Sequence, residues 1–329
     1  MGGALALIAI DAMPGYIPMQ LRANGLTVEV DWCFAGKAPL LGPFFDDSLR
    51  ELLMLPFNRL FRPASDFAML ENLVQSGQCV MPAAFIFHLS RCGSTLLAQM
   101  LAADASNIVL SEAPPLDRIL RAHIAPELKQ RWFYHMLLAL ARKRNENAKR
   151  AIVKCDSWHI KHLPAIERAF PAVPWIFLYR DPLEVLVSNL TLRSAQTLPG
   201  AVDNLPEGVS MMDALHMPDE HFVALKIADM MRAALSHAEH TGALFVNYRD
   251  VANAAFPRIL AHFALTQDAQ TLAAMLEKTK FYAKQPSTQF SDDSAHKQAS
   301  ASALARHYAE TLLMPLYQQL EQLCWRPDL

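Results

Sequence analysis

For a chain of 329 residues, cysteine and glycine are scarce, at five and 11 residues. The thiols (Cys33, Cys79, Cys92, Cys155, Cys324) are odd in number and form no C-x-x-C pair. That excludes a disulfide framework and the usual zinc spacings, and it fits reduced thiols in a cytoplasm. H-x-x-x-H and H-E-x-x-H are also missing, so no metal site is expected from spacing. Neither charge is in excess: 30 Lys+Arg face 32 Asp+Glu, a net charge of −2. A dedicated nucleic-acid binder would show a basic surplus. No stretch approaches the roughly 18 uninterrupted apolar residues of a membrane span. The opening MGGALALIAI is apolar but lacks the basic lead of a signal peptide, and Asp11 ends it. The expectation is a cytoplasmic protein with no nucleic-acid partner and no membrane span.

Hydrophobic residues make up 52% of the chain and charged residues 19%, which specifies a folded core. The length suits one large domain or a domain with a smaller appendage. Residues 1–80 read as an N-terminal extension packed on a main domain spanning 81–329. A strand-like run, Leu26–Val30, is followed by Pro39–Pro63, which holds four prolines yet is rich in Phe and Leu. Linkers are polar, so this segment is expected to pack, with Phe44, Phe45, Phe57 and Phe61 as a hydrophobic wall. From Ala83 onward short apolar runs alternate with amphipathic ones. Strands are expected at Ala84–His88, Ile108–Leu110, Ala151–Lys154, Trp175–Tyr179 and Ala243–Asn247. Helices fit Ser94–Ala103, Glu127–Arg144, His159–Ala169, Leu183–Leu190, Glu220–His240, Val251–Phe263 and Ala303–Leu323. This alternation predicts an α/β fold, a mostly parallel sheet flanked by helices. Ser194–Pro218 and Phe281–Ser300 lack clean periodicity, as binding loops often do.

The sharpest local signal is an apolar strand running into Ser90-Arg91-Cys92-Gly93-Ser94-Thr95 and then directly into a helix. Gly93 lets backbone approach an anion, and the free N–H groups of the first helical turn point at it. Ser94 and Thr95 add hydroxyls, and Arg91 adds a forked positive charge. An ordinary strand–turn–helix with a capping serine would read similarly. The loop is P-loop-like but is not Walker A: no Lys follows Gly93 and no Gly stands five residues before it, which disfavours nucleoside-triphosphate hydrolysis. A second segment, Pro174 to Asn189, repeats the architecture. Its strand ends at Arg180, Asp181 suits a helix N-cap and Pro182 the first helical position, and Ser188 follows on the helix. Arg180 then sits where strand ends open onto a ligand crevice. An ion pair to Asp181 or another carboxylate is the plainer alternative.

Together these segments resemble the sulfotransferase family, whose donor is 3′-phosphoadenylyl sulfate, over roughly residues 82–300. The resemblance implies that Ser90, Arg91, Cys92, Gly93, Ser94 and Thr95 hold the 5′-phosphosulfate. It implies that Arg180 and Ser188, eight positions apart, hold the 3′-phosphate, and that Tyr248 contacts the nucleotide. The loop is most similar to the tyrosylprotein and bacterial branches, with Arg91 at the basic position and Cys92 in place of a serine. By the same resemblance Glu112 is the catalytic base, and Lys154 and Arg91 stabilise charge on the sulfuryl group. Lys284, Ser294 and Lys297 are candidates for the nucleotide-covering loop. An arginine of that branch falls on Leu192, with Arg193 one step off. His159, which opens the helix after Lys154, is the fallback base; His88 and His162 are expected to be structural, and no metal is implied.

Each residue also has a structural alternative. Glu112 could cap a helix near Pro114, and Lys154 could be a snorkelling strand-end lysine. Two other functions stay open: a P-loop phosphotransferase on a small molecule, and a nucleotide-binding module without turnover. The acceptor, whether small molecule, glycan or peptide, is not legible, nor is the oligomeric state.

Overall fold

Two main sheets organise the chain in the computed structural model, which describes residues 14–24, 27–202, 205–239, 242–253, 255–289 and 293–324. The first is antiparallel, in the order β1 (Tyr16–Asn24), β2 (Thr27–Phe34), β3 (Ala64–Asp66). Leu26 of the expected strand lies outside the described residues, and the run continues past Val30 to Phe34. Trp32 is buried, and its indole N–H donates to Ser65 Oγ at 2.9 Å. β1 packs against helices Pro114–Arg121 and Pro126–Leu140. The Arg118 guanidinium ties them together by donating to the Leu21 carbonyl at 2.8 Å. Helices Phe45–Met54 and Pro56–Leu60 connect β2 to β3.

The second sheet has five parallel strands in the order β5-β6-β4-β7-β8. These are β4 (Pro82–His88), β5 (Asn107–Ser111), β6 (Arg150–Lys154), β7 (Trp175–Tyr179) and β8 (Ala243–Asn247). All five expected strands are present within two residues of the expected limits. Their interiors are almost continuously buried and apolar, as strands covered by helices on both faces require. β4 lies at the centre, paired with β6 on one side and β7 on the other. The two anion-motif turns therefore follow neighbouring strands and emerge together at the C-terminal edge of the sheet, where such folds bind ligands.

Several helices differ from expectation, each for a local reason. The helix expected to reach Arg144 ends at Leu140, because Arg142 forms an antiparallel bridge with Cys79. The one expected from His159 begins as a 3₁₀ turn, Ser157–His162, and becomes α only at Leu163–Ala169. Pro164 has no N–H with which to extend an earlier ladder. Val251–Phe263 divides into Tyr248–Val251 and Ala255–His262. The C-terminal helix runs as Ala303–Tyr308, a π turn Ala309–Leu313, and Met314–Leu323. Pro315 removes one donor there, and the wider turn absorbs the gap.

Candidate active site

At the C-terminal edge of the parallel sheet lies a cavity of about 320 Å³. Its wall includes Ser90, Arg91, Gly93, Ser94 and Thr95 from the first turn, and Arg180 and Ser188 from the second. Glu112, Tyr248, Lys284 and Lys297 line it as well, whereas Cys92, Lys154 and Ser294 of the set anticipated from sequence do not. The two turns are joined physically. Ser90 Oγ donates to Asn189 Oδ1 at 3.0 Å, and the Asn189 amide reaches the carbonyl of Val185 at 2.9 Å. Asn189, fully buried, thus fastens the loop after β4 to the helix after β7. Tyr248 bridges the motifs as well. Its ring lies directly against Gly93, where an added Cβ would collide with the ring carbons. The Arg180 guanidinium stands 5.0 Å from the centre of the same ring.

Gly93 has φ +94°, and only glycine meets both that backbone and that contact without strain. Asp181 caps the helix Pro182–Thr191 by accepting from the Glu184 N–H at 3.1 Å, with Pro182 in its first turn. Arg180 is directed sideways into carboxylates and a hydroxyl. Its Nε donates to Glu184 at 2.6 Å, and its terminal nitrogen contacts Asp293 at 3.3 Å and Ser294 Oγ at 3.1 Å. Asp293 also pairs with Lys297 at 2.8 Å, so one carboxylate bridges two cavity cations. Asp293 and Ser294 thus bring the C-terminal loop onto Arg180, although Ser294 itself is not part of the wall.

Beneath the first turn, Lys154 is only 1% exposed. Its ammonium forms a close ion pair with Glu112, donates weakly to Thr95 Oγ1 at 3.4 Å, and stands 4.6 Å from the centre of the Phe44 ring. Glu112 is held by its own backbone N–H, which donates to the Lys154 carbonyl at 2.8 Å. It is therefore not a helix cap, and Lys154 does not snorkel to solvent. Burial, the largest single influence, would raise the Glu112 pKa, but Lys154 and His88 together outweigh it and hold the carboxyl well below the usual carboxylate range. His88 Nε2 lies 3.4 Å from the same oxygen and 2.9 Å from the Cys155 carbonyl.

Arg91 stands apart from these pairs. Its Nε is buried and has no hydrogen-bond partner among the described residues. Burial lowers its pKa, partly countered by Asp293. Lys284 is lowered too, first by desolvation and then by Arg91 and Lys154, although much of its side chain remains exposed. Its ammonium sits 5.1 Å from the Phe44 ring centre. Cations crowding one another around a buried orphan N–H make a site that an anion would relieve.

Two expectations need correction, and the departure noted at Leu192 and Arg193 is seen in the structure. The Cys92 side chain turns away from the cavity into the sheet: its thiol is fully buried and contacts the Leu178 carbonyl at 3.4 Å. Burial pushes its pKa up to about 12. His159, the fallback base, faces Asp117 at 3.0 Å and accepts from the Asp156 N–H at 3.1 Å, outside the cavity wall. Arg193 reaches Asp219 at 2.6 Å and does not line the cavity, while Leu192 is exposed. The Asp117, Asp156 and His159 donor atoms lie within 4.8 Å of one another. Both His159 ring nitrogens and Asp117 already serve protein partners, and the Trp158 indole donates to Asp117 at 2.7 Å. This cluster fixes Trp158 in the cavity wall.

Phe44 of the expected hydrophobic wall lines the cavity, but sequence reasoning did not single out Ser157, Trp158, Ser194, Gln196, Phe281 and Tyr282, which line it too. Ser194, Gln196 and Phe281 to Tyr282 fall in the two aperiodic stretches, the one signal that pointed to them. Among the described residues, no helix is long and apolar enough to cross a membrane.

Neither a family model nor a curated protein matches the chain. Among solved structures it is similar to sulfotransferase STF9 from Mycobacterium avium, at 15% identity and TM-score 0.49, covering 77% of this chain and 80% of that one. It is similar to the sulfotransferase domain of the Synechococcus PCC 7002 olefin synthase, at 19% identity and TM-score 0.45, over 76% and 96%. Mouse sulfotransferase SULT7A1, complexed with PAP, is 12% identical with TM-score 0.37, over 74% and 82%. The likeness to all three is one of fold.

Proposed function

We propose that the chain is a sulfotransferase that moves a sulfuryl group from 3′-phosphoadenylyl sulfate to a hydroxyl or amine acceptor. The observation that carries this reading is the partnerless, buried Arg91 Nε in a cavity also lined by Arg180, Lys284 and Lys297. Two anion cradles separated by the Tyr248 ring suit a nucleotide with phosphates at both ends. The first turn and Arg91 would take the 5′-phosphosulfate; Arg180 and Ser188 would take the 3′-phosphate, displacing Asp293.

In-line transfer then needs positioning and charge more than covalent help. The acceptor oxygen attacks sulfur, the bond from sulfur to the bridging oxygen breaks, and adenosine 3′,5′-bisphosphate leaves. Glu112 takes the acceptor proton. Paired with Lys154 it is a weak base; as negative charge grows on the departing oxygen, Lys154 turns to that oxygen and Glu112 gains basicity where the proton is released. Arg91 stabilises the equatorial sulfuryl oxygens. Calorimetry with adenosine 3′,5′-bisphosphate and ATP tests the cradle, and tight binding of the bisphosphate with none of ATP is expected. Equal binding of ATP would favour a phosphotransferase. Release of labelled sulfate onto a pooled hydroxyl acceptor extract tests turnover.

A further inference from the structure

The segment from Met54 to Arg62 turns its apolar side chains outward. Met54, Leu55, Phe57, Leu60 and Phe61 are 69%, 48%, 46%, 78% and 58% exposed, whereas large exposed apolar side chains usually occur singly. The display is rigid. Asn58, 1% exposed, donates to the Phe34 and Leu52 carbonyls at 2.8 and 2.9 Å and accepts from the Phe34 N–H at 2.9 Å. Two of these bonds fasten the helix Pro56–Leu60 to β2 and the third fastens it to the helix Phe45–Met54, which leaves the neighbours of Asn58 facing out. Phe57 stacks edge-on to Phe34 at 5.3 Å and lies 5.1 Å from Phe61, so the rings form one ridge.

Charge says what covers this ridge. Arg59 and Arg62 are exposed beside it, and neither has a carboxylate within ion-pair distance among the described residues. Arg50 on the preceding helix pairs with Asp47 at 3.2 Å. A protruding apolar tip flanked by uncompensated arginines is complementary to an anionic bilayer: the side chains enter the headgroup boundary while the guanidinium groups meet phosphates. We propose that Met54–Arg62 is a docking surface for anionic membranes and holds the chain on them peripherally. This inference is independent of the donor and its chemistry.

The test is co-sedimentation of the full chain with vesicles of phosphatidylcholine alone and of phosphatidylcholine with phosphatidylglycerol in equal parts. The parent chain pellets with the anionic vesicles. Leu60→Asp with Phe61→Asp lowers partitioning by about tenfold or more, because two inserted side chains are lost. Arg59→Gln with Arg62→Gln lowers it by about tenfold on anionic vesicles and abolishes the preference for them. All these positions are exposed, so melting temperatures stay at the parent value. A parent chain that stays in the supernatant with both vesicles, or an aspartate variant that pellets like the parent, overturns the proposal. So does sedimentation velocity showing a dimer that the same aspartates dissociate, which would assign the ridge to a second copy of this chain.

Discussion

The Glu112–Lys154 pair can be dissected by a double-substitution cycle. Lys154 is 1% exposed, and its other side-chain hydrogen-bond and ring contacts are one long bond to Thr95 and the Phe44 ring. Glu112→Gln therefore strands a buried ammonium, a class of change that costs about 3–5 kcal/mol. The Glu112 side chain is 23% exposed, so the lower end of that range is expected, about 3 kcal/mol. Lys154→Met leaves Glu112 with His88 and partial solvent, and about 2–3 kcal/mol is expected. The double substitution removes both charges, and its cost should fall short of the sum by about 2–3 kcal/mol. Urea unfolding at neutral pH measures all four corners of the cycle. Strictly additive losses, with a coupling below about 0.5 kcal/mol, would refute the pairing as an energetic fact.

The same variants separate stability from chemistry, because the double substitution should recover much of the stability but none of the sulfuryl transfer. Acid adds a further check on the pair. The carboxyl's pKa is depressed in the folded chain, so its stabilisation is complete above the ordinary carboxylate range and fades as pH falls below about 4. Glu112→Gln removes that acid-side loss.

Asp293 bridges Arg180 and Lys297, where the proposed 3′-phosphate would bind, so Asp293→Asn should tighten adenosine 3′,5′-bisphosphate by about three- to tenfold in calorimetry, whereas Arg180→Ala should weaken it about 10–100-fold. Gly93→Ala places a methyl against the Tyr248 ring on a φ of +94°; a loss of about 1–3 kcal/mol in thermal unfolding and weaker bisphosphate binding are expected, and an unchanged melting temperature would count against the contact. Burial raises the Asp156 pKa to about 7, His159 opposing, so the folded chain keeps a proton that the unfolded chain releases and stability falls as pH rises from about 4 to 7. Asp156→Asn should flatten that decline, by on the order of 1 kcal/mol per pH unit, in melts across the window.

The parallel sheet was legible because its strands are short, continuously apolar and bounded by turn residues, which is how fully covered strands read. β1 was not: Pro18 and Arg22 interrupt it, and it accommodates Pro18 at a register shift between Pro18 and Gln20. The cavity's cationic half was legible for a different reason. A Gly turn and an Arg-Asp-Pro turn each carry their chemistry in consecutive residues, and the resemblance supplied Glu112 and Lys154. The aromatic half comes from segments far apart in the chain. Phe44, Trp158 and Phe281 meet only through tertiary packing, and nothing local distinguishes them from core or surface rings. Phe45 is indeed buried, but Phe57 and Phe61 of the anticipated wall are exposed. Composition specifies that apolar side chains exist, not which of them the fold leaves outside.

The backbone supplies one more reason to place chemistry at this cavity. Arg91 and Glu112 have φ of +60° and +52°, in the left-handed region that side chains other than glycine rarely adopt. Each carries a strain of about 1–3 kcal/mol that the surrounding structure must offset. At Glu112 the restraint is visible: the bond from its N–H to the Lys154 carbonyl fixes the end of β5 to the end of β6 and turns the carboxylate toward the cavity. At Arg91 the restraint is the turn itself, fastened by Ser90 to Asn189 and closed over by Tyr248 at Gly93. A glycine at Arg91, whose side chain has no ion pair to lose, would relieve the strain, and the stability gained would be of the order of the strain itself. It would also remove the one cationic side chain that the turn places in the cavity wall. An Arg91→Gly chain that melts no lower than the parent, yet binds no bisphosphate or transfers no sulfate, would show that strain at this position is maintained for the charge it positions.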